Sequence, residues 1–209
     1  MIEMLKTRKS IICLDGNLPC DLVRKLDLPI VAADRAANAL IKNGIEPDVI
    51  IGDLDSVDET LLRDRPHIKI DDQDSTDFEK ALEYVEKKSL TPTIVTGIDG
   101  GCIDHALGNV SIFSRTNCVA VFENMILVTI DEDKTLNVPI GAKISIFGIP
   151  RCLITSRGLK WELDDYEAAI DGKNSISNRA VSSQIELKVS SGKAIVFVYT
   201  KNVSDAGSL

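Results

Sequence analysis

In four places in this chain, carboxylates, amides and hydroxyls collect where a short apolar stretch gives out. VAADRAAN brings Asp34 and Asn38, and DVIIGDLDS brings Asp53, Asp55 and Ser56. IKIDDQDSTDFEK brings Gln73, Thr76, Asp77 and Lys80, and TIVTGIDGGCIDHALGN brings Gly100, Gly101, Asp104 and His105. Strand ends along one edge of an α/β sheet are where such folds bind ligands. Carboxylates gathered there need a positive partner, and Mg²⁺ carrying a polyphosphate meets that need.

Asp53 and Asp55 give the sharpest metal signal. Residues two apart in an extended segment face the same side. Two like charges held that close disfavour each other's ionisation unless a cation lies between them. The other turns also have a simpler explanation. Thr76 and Glu79 fit a capping box, with Asp77 in the first helical turn where the helix dipole favours it. Ser56-Val57-Asp58-Glu59 has the same pattern. Capping and ligand binding are compatible, because a helix N-terminus is also an anion site.

Gly100 and Gly101 would let backbone N–H groups approach a phosphate closely, although such a pair also serves a tight turn. The segment matches neither the Rossmann fingerprint nor the P-loop. Asp104 and His105 open the next helix, with His105 open as a base, a ligand contact or a solvated residue. His67 is expected to be structural or exposed. Trp161, the only tryptophan, fits either the core of its domain or a ring stacked on a flat ligand.

These residues need a scaffold, and the pattern predicts an α/β N-terminal domain followed by an all-β sandwich. SIICL, PIVAA, DVIIG, HIKI, TIVTG and CVAVF read as strands buried on both faces. Between them, Phe78, Ala81, Leu82 and Val85 form one helical stripe, and Ile103, Ala106, Leu107 and Val110 repeat it. Gly44 is placed to end a helix. Strands alternating with helices predict a mostly parallel sheet with flanking helices over residues 1–130. From 131 to 209 the helical periods vanish. KTLNVPIG, AKISIFG, RCLITS, QIELKV and AIVFVY are strand candidates, with SSGK as a hairpin turn between the last two. The polar NVSDAGSL end is expected to fray.

Composition narrows the function. A formal charge of −8 opposes a nucleic-acid partner, which needs clustered Lys and Arg. Metal ions can still bridge an acidic protein to a nucleotide. The apolar runs are strand-length, so no membrane helix is expected. MIEMLKTRKSIICL lacks the pattern of a secretory signal. Five cysteines without a C-x-x-C pair fit reduced thiols and a cytoplasmic protein. With only His67 and His105 available, neither near a Cys pair, zinc is not expected.

Taken together, ADRAAN (33–38), GIEPDVIIGDLDS (44–56), DQDSTDFEKAL (72–82), GGCIDH (100–105) and SISN (175–178) resemble the thiamine pyrophosphokinase family. Motifs of that family run in the same order with similar spacing through most of the chain. The resemblance implies an enzyme that moves the terminal diphosphate of ATP onto the hydroxyl of thiamine, giving thiamine diphosphate and AMP. It implies an α/β nucleotide domain, a β-sandwich thiamine domain and a homodimer with sites at the subunit interface. Asp53, Asp55 and Asp77 would hold Mg²⁺ and, with Asp104, act in catalysis. Gln73, Thr76, Lys80, Gly100, Gly101 and His105 would position ATP, with Asp34, Asn38 and Arg35 at the same cleft. Ser175, Ser177, Asn178 and Trp161, the last in the similar GLKW segment, would face thiamine.

Two positions depart from the family pattern. Its G-G-R-x-D-H has Cys102 at the Arg position here, and its small residue after A-D is Arg35. Arg35 either replaces the missing guanidinium from the neighbouring strand end or is a surface residue. Cys102 reads as a spacer and not a nucleophile, since nothing beside it would activate a thiol. Two other functions remain compatible with the residues: a thiamine or nucleotide sensor without turnover, and a Mg²⁺-dependent nucleotide hydrolase.

Overall fold

A computed structural model describes residues 5–200; the NVSDAGSL segment lies outside the described residues. The chain divides into two compact units, the first ending at Glu123 and the second beginning at Asn124. The sequence places this boundary at 130. Met125–Ile130, which falls before that point, forms a strand paired antiparallel within the second unit.

The first unit contains β1 (Ser10–Cys13), α1 (Cys20–Leu26), β2 (Ile30–Ala33), α2 (Ala36–Lys42), β3 (Val49–Gly52) and α3 (Glu59–Leu62). It continues with β4 (His67–Lys69), α4 (Asp77–Lys87), β5 (Thr93–Thr96), α5 (Ile103–Phe113) and β6 (Val119–Val121). The order β6-β5-β1-β2-β3-β4 is parallel at every pairing. Strands β1, β2, β3, β5 and β6 are buried along their whole length. That is why they read as unbroken apolar runs instead of alternating ones. A parallel sheet aligns the C-terminal ends of its strands, so the turns after β1, β2, β3 and β4 emerge on one edge.

Helix α4 packs against β1, β2 and β3 through Phe78, Ala81 and Val85. Its start has the expected capping box: Thr76 Oγ1 accepts from the Glu79 N–H, and the Glu79 carboxylate accepts from the Thr76 N–H at 3.0 Å. The cap of α3 is Asp58, which accepts from the Thr60 N–H at 2.9 Å, whereas the sequence pattern points to Ser56. Gly44, with φ +71°, follows the C-cap Asn43 of α2. Strand β4 is exposed along its length, His67 included, so the HIKI stretch forms a strand but not one buried on both faces.

The second unit is β-rich: β7 (Met125–Ile130), β8 (Lys134–Asn137), β9 (Lys143–Arg157), β10 (Tyr166–Ala169), β11 (Ser175–Arg179) and β12 (Gln184–Tyr199). Strands β9 and β12 pair antiparallel through most of their length. The first half of β12 also pairs with β8 and its second half with β7. Along β9, the first half pairs with β11 and the second with β10. Two four-stranded ladders therefore share the same two long strands.

SSGK is not a hairpin turn. QIELKV and AIVFVY are halves of the single strand β12, with register shifts between Val189 and Ser191 and between Gly192 and Ala194. Gly192 has φ +78°, and a Cβ there would stand 2.1 Å from the Arg151 carbonyl oxygen. The glycine lets one long strand change ladders without ending, as a bulge does. AKISIFG and RCLITS join in the same way within β9.

Candidate active site

A cleft of about 590 Å³ opens in the first unit, lined by residues that follow β1 to β4 and by the starts of α4 and α5. Strand β2 ends at Ala33 and the next residue, Asp34, takes φ +43°. That left-handed turn sets its carboxyl among those of Asp53 and Asp77, where one oxygen from each lies within 4.8 Å of the others. Gly52 makes room for them. A Cβ there would lie 2.8 Å from the Asp34 Cβ and 3.2 Å from the Asp77 Oδ1.

The sequence pairs Asp53 with Asp55, but the structure brings Asp53 to Asp34 and Asp77. Leu54 has φ +64°, so the segment is not extended and the two-residue alternation does not apply. Asp55 turns to the Ser56 hydroxyl at 2.8 Å and remains on the cleft lining.

Electrostatics separates these carboxyls. Burial, reinforced by the Asp77 carboxylate, pushes the Asp34 acid up to about 6. Its Oδ1 is buried and has no hydrogen-bond partner. Asp53 is held below the usual range, chiefly by the Asp55 N–H, with the Gln73 amide donating as well. Lys80 is only 4% exposed at its side chain and reaches the Asp77 Oδ1 at 3.1 Å. A buried carboxyl oxygen without a donor, beside two further carboxylates and a space that a methyl group would fill, fits a hard divalent cation.

Other expected site residues divide into groups. Asp34, Arg35, Asp53, Asp55, Gln73, Thr76, Asp77, Lys80, Asp104 and His105 line the cleft. Asn38 is absent from the lining; its amide bridges the Ser56 carbonyl and the Asp58 N–H, fastening the turn after β3. Gly100 and Gly101, both with positive φ, also lie outside the lining. Cys102 is the exposed N-cap residue of α5 and makes no side-chain capping bond. The guanidinium of Arg35 donates from Nε to Asp15 at 2.8 Å. Asp15 itself was missed from sequence, although it follows SIICL as Asp34 follows PIVAA.

The apolar stripe of helix α5 is partly uncovered, with Ile103 75% exposed and Leu107 65%.

In the second unit, Trp161 is not a core residue, being 56% exposed. Ser177 is exposed and has φ +61°, and its N–H donates to the Ser145 hydroxyl at 3.1 Å. Asn178 is 2% exposed, with Ser175 beside it at 3.4 Å.

Comparison with known proteins follows the division of the chain. Residues 21–123 match the family described as "Thiamin pyrophosphokinase, catalytic domain", and residues 128–196 match "Thiamin pyrophosphokinase, vitamin B1 binding domain". The chain is 26% identical to thiamine pyrophosphokinase 2 of Arabidopsis thaliana, over 84% of this chain and 80% of that protein. It is 29% identical to thiamin pyrophosphokinase 1 of Caenorhabditis elegans, over 77% of this chain and 75% of that one. The structure of yeast thiamin pyrophosphokinase superposes with a TM-score of 0.81 at 20% identity, covering 98% of this chain and 92% of that one. At that identity the superposition speaks for the fold.

Proposed function

Because the chain belongs to the thiamin pyrophosphokinase family, we propose that it transfers the diphosphate of ATP to the hydroxyl of thiamine. The products are thiamine diphosphate, AMP and a proton. The observation that carries the assignment of chemistry to residues is the Asp34–Asp53–Asp77 cluster around Gly52, with its unpartnered Asp34 oxygen. It lies within the part of the chain that matches the catalytic domain.

Asp34, Asp53 and Asp77 would hold Mg²⁺, with Asp55 beside them. The ion would neutralise phosphate oxygens as charge shifts during transfer. Transfer of this kind asks the protein mainly for alignment and charge stabilisation. Lys80, locked inside the unit, fixes the Asp77 carboxylate, and Gln73 is 3.5 Å from Asp53. Thr76 gives its hydroxyl to the helix cap, which leaves it to shape the wall. Asp104 and His105 flank the ligand from α5, and Gly100 and Gly101 shape the turn before them.

Arg35 is the cation for the polyphosphate. Among the described cleft residues, Lys80 is already committed to Asp77, whereas the Arg35 side chain is largely exposed and pairs with Asp15. Its guanidinium can meet phosphate oxygens with several N–H donors. Arg35→Ala is expected to raise the ATP KM several-fold; an unchanged KM and kcat would remove Arg35 from the site.

Trp161, Ser175 and Ser177 would face thiamine. The exposed Ile103 and Leu107 on α5 support a homodimer, because such a stripe on a helix normally finds a partner. The five free cysteines support a reducing, cytoplasmic setting. Among the described residues, no helix is long and apolar enough to cross a membrane.

Incubation with ATP, Mg²⁺ and thiamine tests the activity. AMP release that depends on thiamine is expected. ADP, or diphosphate released without thiamine, would mean a nucleotide hydrolase. Thiamine binding without turnover would mean a sensor.

A further inference from the structure

We propose that Asn178 is a positioning residue that fixes Trp161 at the thiamine site and does not itself touch the substrate. The proposal rests on Trp161 facing thiamine.

A side-chain amide has two N–H donors and an oxygen with two lone pairs. In Asn178 all four are used within the protein. The oxygen accepts from the Trp161 N–H at 3.2 Å and from the Arg179 N–H at 2.8 Å. The nitrogen donates to the Trp161 carbonyl at 2.6 Å and to the Ser175 hydroxyl at 3.4 Å. Exchanging oxygen and nitrogen would point donors at two backbone N–H groups, so the bonding itself fixes the orientation of the amide. With 2% of its surface exposed, Asn178 has neither a free hydrogen-bonding group nor an open face for a ligand.

Both backbone groups of Trp161 are thereby held by one side chain. The rest of its loop is held separately. The Glu162 carboxylate accepts from the Gly158 N–H at 2.7 Å and the Leu159 N–H at 3.2 Å. Leu159 and Ala180 form an isolated bridge, and the Lys160 N–H reaches the Arg179 carbonyl. The indole projects from this pinned backbone, with Lys160 Nζ 4.7 Å from the ring centroid. An exposed aromatic ring on a fixed backbone loses little further freedom when a flat ligand stacks on it, which is how preorganisation raises affinity.

Trp161 is the only tryptophan, so intrinsic fluorescence of the full chain reports this ring alone. Asn178→Ala is expected to lower the ligand-free anisotropy of the indole and shift its emission. It should raise the thiamine KM about tenfold while leaving kcat and the ATP KM within twofold. Asn178→Asp keeps both acceptor bonds but turns a carboxylate oxygen toward the Trp161 carbonyl, so it should change the anisotropy and the thiamine KM in the same direction. If Asn178→Ala fails to fold, as judged by circular dichroism, the Asp variant decides. Wild-type anisotropy together with a raised thiamine KM would make Asn178 a direct contact and overturn the proposal. Wild-type values throughout would overturn it as well. If thiamine leaves the wild-type emission unchanged, the assignment of Trp161 to thiamine falls, while the ligand-free anisotropy still decides the positioning role.

Discussion

The acidic cleft draws Asp34, Asp53 and Asp77 from three separate turns, after β2, after β3 and at the start of α4. Their convergence follows from parallel register, from a left-handed residue at Asp34, and from the missing Cβ at Gly52. The tryptophan loop is built the other way, with one buried amide holding both backbone groups of an exposed ring. Backbone geometry places the cleft, while side-chain bonding places the ring. Damage should follow the same division: the cleft should suffer from lost charge or lost space, and the loop from a lost hydrogen-bonding group.

The largest effect is expected from Asp77→Asn. It removes a charge from the cluster and the partner of buried Lys80. Loss of a few kcal/mol of transition-state stabilisation corresponds to a kcat lowered by about a thousandfold. The variant should remain folded and still bind thiamine, as tryptophan fluorescence would show. Near-normal turnover would mean that the cluster is not the reaction centre.

Gly52→Ala tests whether space matters as much as charge. Its Cβ would stand 2.8 Å from the Asp34 Cβ, a distance that requires something to move. Misplacement of reacting groups by about 1 Å can cost on the order of a hundredfold in rate, and that is the expected fall in kcat. A Gly52→Ala enzyme with normal kcat would erase the contrast between the two regions.

The same contrast explains what could be read from sequence. Five of the six strands of the parallel sheet are legible because burial on both faces makes each an apolar run, and Asp34 and Asp53 stand directly after two of those runs. The pairing of Asp53 with Asp34 was not legible, because it depends on the left-handed backbone at Asp34 and Leu54. Spacing along the chain carries no such information. SSGK resembles a hairpin locally, and only the uninterrupted partner β9 turns it into a bulge. The stripe on α5 correctly marked a helix, but periodicity does not say what covers an apolar face. For Asn178, the motif identified the residue, yet its role lies in bonds to a loop distant in sequence.

Trp161→Ala should produce a more selective loss. Stacking of an aromatic ring on a flat ligand contributes roughly 1–3 kcal/mol, so the thiamine KM should rise about tenfold or more. Neither the ATP KM nor the Mg²⁺ requirement should change. A parallel rise in the ATP KM would show that the two regions do not divide the substrates as proposed.

The smallest effect concerns proton binding at Asp34, and its direction follows from linkage. Burial and the neighbouring Asp77 push the folded-state acid up to about 6, from an ordinary value of 3.8. The folded chain therefore holds this proton more tightly than the unfolded chain between those values. Where the native state binds more protons, stability falls as pH rises. Without divalent metal, this group should destabilise the protein progressively from about pH 4 to pH 6, and the cost should then remain constant above that range. Carboxylates held low, such as Asp53 and Glu79, act in the opposite sense at lower pH, so a comparison with Asp34→Asn isolates the site. In EDTA at pH 7.5 the variant should melt a few degrees above the wild type. The gap should narrow toward pH 5, where the wild-type acid is largely protonated and resembles the amide. Mg²⁺ at pH 7.5 should raise the wild-type Tm more than that of the variant, because a ligand that binds only the folded state stabilises it. A Tm gap that does not vary with pH would show that Asp34 is not the group whose charge the cleft resists in EDTA.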